Sequence, residues 1–332
     1  MREAGIDLIP SNDFSFYDQV LDTIALVGAV PQRYGHRGGP VDLDTYFAMA
    51  RGRQSGGVDV IAMEMIKWFD TNYHYIVPEL GPRTEFALSS DKPFAEYREA
   101  KDQGIETIPV LLGPVSFLLI SKPAEDTSTE FDPLTLVERL LPVYEQVLTK
   151  LGEEGAQWVQ LDEPSFVQDR SEWELNALRI AYERLAETLG RPKLILKTYF
   201  DHVGEAYPVL RGLPIEGVGL DFHRGPQNED LIRRHGGLPG KTLFAGVVDG
   251  RNIWINDLEK TLDLLARLRD SAAEVVVSTS CSLLHIPIDL DAEPAIDEEL
   301  RSWLAFARQK VSEVVALTRG LNEGGHAIRG EL

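Results

Sequence analysis

Eight short apolar runs recur along the chain, most of them separated by stretches with helical spacing. They are IDLIP (6–10), VDVIAMEM (58–65), TIPVLLGP (107–114), WVQLDEP (158–164), LILKTYF (194–200), GVGLDFH (217–223), TLFAGVVDG (242–250) and EVVVSTSC (274–281). Continuous rather than alternating apolar runs mark strands buried on both faces, as in a parallel sheet. Strands that alternate with helices imply βα units. Eight of them in 332 residues predict a (β/α)8 barrel, whose chemistry sits where the strands end. Those ends carry Asp162, Glu163, Lys197, Tyr199, Asp221, His223, Asp249, Arg251 and Cys281.

The helical patterns between the runs have readable boundaries. Residues 133–152 predict an amphipathic helix through Leu134, Leu136, Val137, Leu140, Leu141 and Val147, interrupted by Pro142. Residues 171–189 follow a cap at Ser171 with Glu174 three residues on, and stop at Gly190. Residues 256–270 start at a cap at Asn256, and a last helix is expected at about 297–320. Two helical patterns lie between residues 11 and 55, with SGG at 55–57 as punctuation. The aromatic segment IKWFDTNYHYIVPEL has neither period and reads as an ordered, packed excursion over one end of the fold. The expected organisation is one barrel domain over 1–321, with an excursion at about 11–100, and a flexible polar tail at 322–332.

Charge and cysteine content narrow the class. Thirty-three Lys and Arg against 53 Asp and Glu give a net charge of −20, which argues against nucleic acid or an anionic membrane as partner. The single cysteine, Cys281, excludes a disulfide framework and favours a reducing compartment. Neither a signal peptide nor a membrane-spanning run stands out, so a cytoplasmic protein is expected.

Each strand-end group has a chemical and a structural reading. Of Asp162 and Glu163, adjacent in a strand, only one can face the barrel axis. It would serve as an acid, a base or an amine ligand, or as a helix cap or ion-pair partner. Arg251 can hold a carboxylate or phosphate, or pair with Asp249. Cys281 and His285, with Asp221 and His223 from an earlier strand, invite a metal reading. Zinc needs three or four Cys, His or carboxylate ligands, and a lone buried thiol is more often packing. Ser116, after Gly113 and Pro114, is a candidate cap for the following helix. Lys67 is a cation among Trp68, Phe69, Tyr73 and Tyr75. It is suited to a carboxylate ligand, or simply snorkels over its neighbours.

IDLIPSNDFSFYD, MARGR, EMIKWFDTNYHYIVPE, PVLLGPVSFLLISK, LPVYEQVL, WVQLDEPSFV, LKTYF, VVDGRNIW and STSCSLLHIPIDLD closely resemble the amino-terminal half of cobalamin-independent methionine synthase, a family of 5-methyltetrahydropteroyltriglutamate–homocysteine methyltransferases. The resemblance covers nearly the whole chain. It implies two face-to-face (β/α)8 barrels in the family enzyme, with zinc held by the carboxy-terminal one to activate the homocysteine thiol. No cofactor is then expected in this chain. The implied partners are 5-methyltetrahydrofolate polyglutamate, whose tail meets Lys67, and a zinc-binding carboxy-terminal barrel in cis or trans.

The resemblance also revises the strand count. Family members begin with a further strand, IDLIP becomes the second strand, and VDVIAMEM joins the excursion. A barrel incomplete at its amino terminus, with seven core strands, is then expected. Cys281 sits where one zinc cysteine of the other barrel would be, as a remnant of duplication. The function implied is a scaffolding barrel that binds the folate tail and is not catalytic alone. The alternatives are a free-standing interaction module for a separate zinc barrel, or a small-molecule enzyme using the barrel mouth at Asp162, Asp221, His223 and Cys281.

Overall fold

The computed structural model describes residues 1–55 and 58–330. Its main sheet has seven strands: β1 (Ile9–Ser11), β2 (Thr107–Leu112), β3 (Trp158–Asp162), β4 (Lys193–Lys197), β5 (Gly217–Asp221), β6 (Leu238–Val248) and β7 (Ala272–Thr279). Sheet order follows chain order, the order of a βα-barrel. The runs read as strands are strands because both their faces are covered: every residue of β2 and of β5 is buried. At the end of the strand order, β7 is mostly half-buried.

The chain divides into two compact units. The second unit, Pro10–Ser165 with Arg170–Leu194, holds β2 and β3, paired in parallel with Leu112 opposite Asp162. Lys193 at the start of β4 joins them through its N–H to Gln157 O at 3.0 Å. Its helices are α1 (Gln19–Val27), α2 (Leu43–Arg51), α3 (Lys92–Asp102), α4 (Pro114–Leu119), α5 (Val137–Glu153) and α6 (Glu172–Ala186). All six apolar residues expected to face the core near α5 are buried. Pro142 lies inside α5 and cannot donate to the carbonyl four residues back. That carbonyl, of Glu138, accepts from Arg184 Nη1 at 3.4 Å instead.

Ser171 caps α6 in a reciprocal box with Glu174, as expected, but the helix ends at Ala186 rather than at residue 189. Ser171→Ala is expected to cost about 1 kcal/mol, read as a drop in Tm of about 2 °C in a scanning calorimeter.

VDVIAMEM is not a strand of the main sheet. Val58–Val60 pairs antiparallel with Arg53–Ser55, and Met65–Lys67 pairs antiparallel with His74–Ile76. The run lacks cover on both faces, with Ile61 80% exposed and Met65 51% exposed. The segment read as aperiodic is therefore a hairpin. Gly56 and Gly57 of the expected SGG break lie outside the described residues.

The first unit, Met1–Ile9, Phe166–Asp169 and Ile195–Leu332, holds the rest of β4 and β5–β7, each parallel to the next. Its helices are α7 (Tyr207–Gly212), α8 (Gln227–His235), α9 (Leu258–Leu268), α10 (Glu298–Arg301) and α11 (Ala307–Glu323). The cap of α9 is Asp257, whose side chain accepts from Lys260 N; Asn256 instead donates to Val247 O at 2.9 Å. The single helix expected over 297–320 is two. Between them the backbone bridges to the loop after β6: Ile255 N donates to Trp303 O at 2.9 Å and Ala305 N to Ile253 O at 2.7 Å. That pairing pulls residues 303–305 out of helical geometry. The tail expected to be flexible contains a 3-10 turn, Gly325–Ile328, with Ile328 fully buried. No helix among the described residues is long and apolar enough to cross a membrane.

Candidate functional site

In the first unit the strand ends carry a connected set of polar groups. Asp221, at the end of β5, is fully buried. Its carboxylate accepts from the N–H groups of Phe200, His223 and Arg224 at 3.0, 2.9 and 2.8 Å. Burial pushes this carboxyl above its ordinary value, and the three amides oppose the shift. One of those amides belongs to Phe200, which has φ of 84°, a conformation that disfavours any side chain. Asp221 thus holds the chain in a strained turn where β4 ends.

Asp249, after β6, accepts from His223 Nε2 at 2.9 Å and from the Arg251 N–H at 2.9 Å. Burial works against the Asp249 charge, but the His223 bond, the Arg251 amide and the nearby Lys310 ammonium bring the carboxyl well below its usual range. The main chain of Arg251 thus contacts Asp249. Its guanidinium stands 5.7 Å from the centre of the Phe200 ring, which also meets His285 edge-on at 5.7 Å. Lys197 reaches from β4 to β7, donating to Ser278 Oγ at 3.3 Å and Thr279 O at 3.2 Å.

The zinc reading can be tested on Cys281. Its Sγ is buried, with Ser280 Oγ at 3.9 Å and Ser282 O at 3.7 Å. Burial first, and the Asp221 carboxylate second, push the thiol far above its ordinary value. Among the described residues no group of three or more His, Cys, Asp or Glu side chains is arranged to hold a metal ion.

The structure brings Asp221, His223, Arg251 and Cys281 to neighbouring strand ends of the first unit. Asp162, Glu163 and Lys67 belong to the second. Asp162 Oδ1 accepts from Gln160 Nε2 at 2.7 Å. Glu163, fully buried, accepts from Val115 N at 3.2 Å, Ser116 N at 2.6 Å and Tyr182 Oη at 3.1 Å. It caps α4, the role expected of Ser116, whose hydroxyl lies inside the helix and accepts from Ser165 N at 3.2 Å. Burial raises the Glu163 carboxyl to about 7.

Lys67 lies exposed on the strand Met65–Lys67, opposite His74. Beside it Trp68 is buried and meets Tyr75 edge-on at 5.6 Å. The aromatics expected to surround the ammonium thus partly form a floor beneath the hairpin. Asp18, at the start of α1, was not singled out by the sequence pattern, yet it joins that helix to this hairpin (below). Its one sequence signal is an Asp placed just before the apolar spacing of α1 begins.

A chain-ordered parallel sheet with crossover helices, carrying polar groups where its strands end, defines a βα-barrel domain of the α/β class. The family model described as the N-terminal domain of cobalamin-independent synthase matches residues 1–273, and the chain belongs to that family. It is 55% identical over 333 residues to a 5-methyltetrahydropteroyltriglutamate–homocysteine methyltransferase of Streptomyces coelicolor, covering 100% of this chain and 43% of that one. With a methyltransferase of the same description from Catharanthus roseus it shares 53% identity over 326 residues, 97% of this chain and 42% of that one. The chain spans less than half the length of these curated relatives. In fold it resembles a B12-independent methionine synthase from Shewanella sp. W3-18-1, solved in complex with selenomethionine, with a TM-score of 0.62 and 16% identity over 99% of this chain and 84% of that one.

Proposed function

We propose that this chain is the amino-terminal barrel of a cytoplasmic enzyme that moves a methyl group from 5-methyltetrahydropteroyltriglutamate to homocysteine, yielding methionine. Its own share is to support a zinc-bearing carboxy-terminal barrel, in cis or in trans, and to hold the glutamate tail of the folate at Lys67. The observation that carries this reading is 55% identity across the whole chain to the Streptomyces coelicolor methyltransferase. The chemistry of the chain is consistent with a supporting role. Its one thiol is buried, and among the described residues no group of three or more His, Cys, Asp or Glu side chains is arranged to hold a metal ion; as the family resemblance implies, the zinc-thiolate step is assigned to the other barrel. An exposed ammonium on a hairpin suits a tail that presents several carboxylates.

An exposed ion pair is worth little and is screened by salt. Lys67→Ala is therefore expected to weaken binding of the triglutamate folate about threefold to fivefold at low salt, with the monoglutamate form unaffected, as read by isothermal titration. Equal affinity of variant and parent for the triglutamate form would remove Lys67 from the site. The chain alone, supplied with zinc and both substrates, is expected to make no methionine above the no-protein background; turnover there would overturn the supporting role.

A further inference from the structure

We propose that Asp18 is a positioning residue for the glutamate-tail site, its carboxylate fastening the Lys67 hairpin to α1 and so fixing where the ammonium stands. This rests on the reading of Lys67 given above. Oδ1 of Asp18 accepts from the N–H groups of Val20 and Leu21, both at 2.8 Å, which caps α1. Oδ2 accepts from the N–H of Ile76 at 3.0 Å, 58 residues away. Ile76 is fully buried and stands opposite Met65 across the hairpin, two residues from the Lys67–His74 pair.

The other hydrogen bonds of the hairpin base and tip, Val77 N to Glu64 O and Trp68 N to Tyr73 O, both at 2.8 Å, close the hairpin on itself. They do not tie it to the helix. The Tyr17 hydroxyl reaches Met65 Sδ at 3.7 Å, a weaker tether from the same segment.

The choice of residue supports a second task for Asp18. Capping alone is done as well by Ser or Asn, without a buried charge. Asp18 is instead a buried carboxyl whose second oxygen serves the hairpin, with Asp22 on α1 nearby. A main-chain N–H in such a place needs an acceptor, and Ile76 has it only while Oδ2 is there to accept. A two-stranded hairpin held at Ile76 transmits that anchor to Lys67 through its own register.

The test uses Asp18→Asn in this chain. The Asn carbonyl keeps the cap of α1, and its NH2 turns a donor toward the Ile76 donor. The Ile76 amide is expected to exchange with deuterium about tenfold faster, while the Leu21 amide is unchanged. Affinity for triglutamate 5-methyltetrahydrofolate is expected to fall about threefold to fivefold, as far as removal of Lys67 itself, with the monoglutamate form unchanged. Asp18→Ser, which keeps a cap but is too short to reach Ile76, should reproduce both effects if the Asn variant does not fold. Unchanged Ile76 exchange overturns the fastening. Faster exchange with unchanged triglutamate affinity overturns the positioning role, provided Lys67→Ala still weakens binding. If Lys67→Ala itself has no effect, the tail site falls first and this proposal falls with it.

Discussion

Glu163→Gln is expected to remove about 3 kcal/mol of pH dependence from the stability of this chain between pH 5 and pH 8. In the folded chain Glu163 is fully buried and titrates at about 7, against 4.5 for an ordinary Glu carboxyl. Between those values the folded state keeps a proton that the unfolded state has released. Raising the pH therefore draws the equilibrium toward the unfolded chain. Stability from this group is complete below about 4.5 and is lost as the pH rises through about 7. Asp18, raised by burial from 3.8 to about 7, acts in the same direction over a similar range. His285, lowered by burial to about 4, acts oppositely, since its protonation in the unfolded chain penalises the fold as the pH falls.

A titrating Glu163 is isolated by difference. Urea denaturation of parent and Glu163→Gln at pH 5, 6, 7 and 8 gives two curves whose separation should move in favour of the variant as pH rises. The amide retains one acceptor oxygen for α4 and carries no charge to bury. A separation that stays constant with pH would show that Glu163 is ionised in the fold across this whole range. The three donors at Val115, Ser116 and Tyr182 would then outweigh its burial.

The strand-end position of Glu163 was legible from LDEP, and so was its list of possible roles. That it caps α4 was not, because the choice between axis and cap depends on which groups β2 and α6 bring beside it. The same division holds elsewhere. TIPVLLGP and GVGLDFH announced fully buried strands because continuous apolar residues have one stable destination. The capping box at Ser171 was local chemistry and was readable as such. The Met65–Lys67 hairpin was missed because three-residue strands show no measurable period, and one of them faces solvent throughout. The break before α11 was missed because it is caused by backbone partners at Ile253 and Ile255, some fifty residues earlier in the sequence. At the candidate site, Asp221, His223, Asp249 and Cys281 were identifiable as strand-end residues. The His223–Asp249 bond and the upward shift of the Cys281 thiol are products of burial and tertiary geometry, which no spacing encodes.

Gly152→Ala is expected to cost more than about 4 kcal/mol and to leave the chain largely insoluble. The cause is contact with main chain rather than helix propensity. In propensity alone, alanine inside a helix gains about 1 kcal/mol over glycine, and Gly152 lies in the last turn of α5. A Cβ there would stand 1.9 Å from the carbonyl oxygen of Gly190 and 3.0 Å from its carbonyl carbon. That oxygen belongs to the turn between α6 and β4, which cannot retreat without moving the strand that follows it. Gly190 itself has open space where its Cβ would go but φ of 74°, so Gly190→Ala is expected to cost only about 1–2 kcal/mol of backbone strain. The two glycines touch each other and are required for different reasons, one for room and one for its dihedral. Soluble yield and the calorimetric Tm of the two variants separate these causes: Gly190→Ala should fold with a Tm lowered by a few degrees, and Gly152→Ala should not. A soluble Gly152→Ala with the parent Tm would mean that α5 can shift away from the turn. The close approach would then contribute nothing to holding β4 in place.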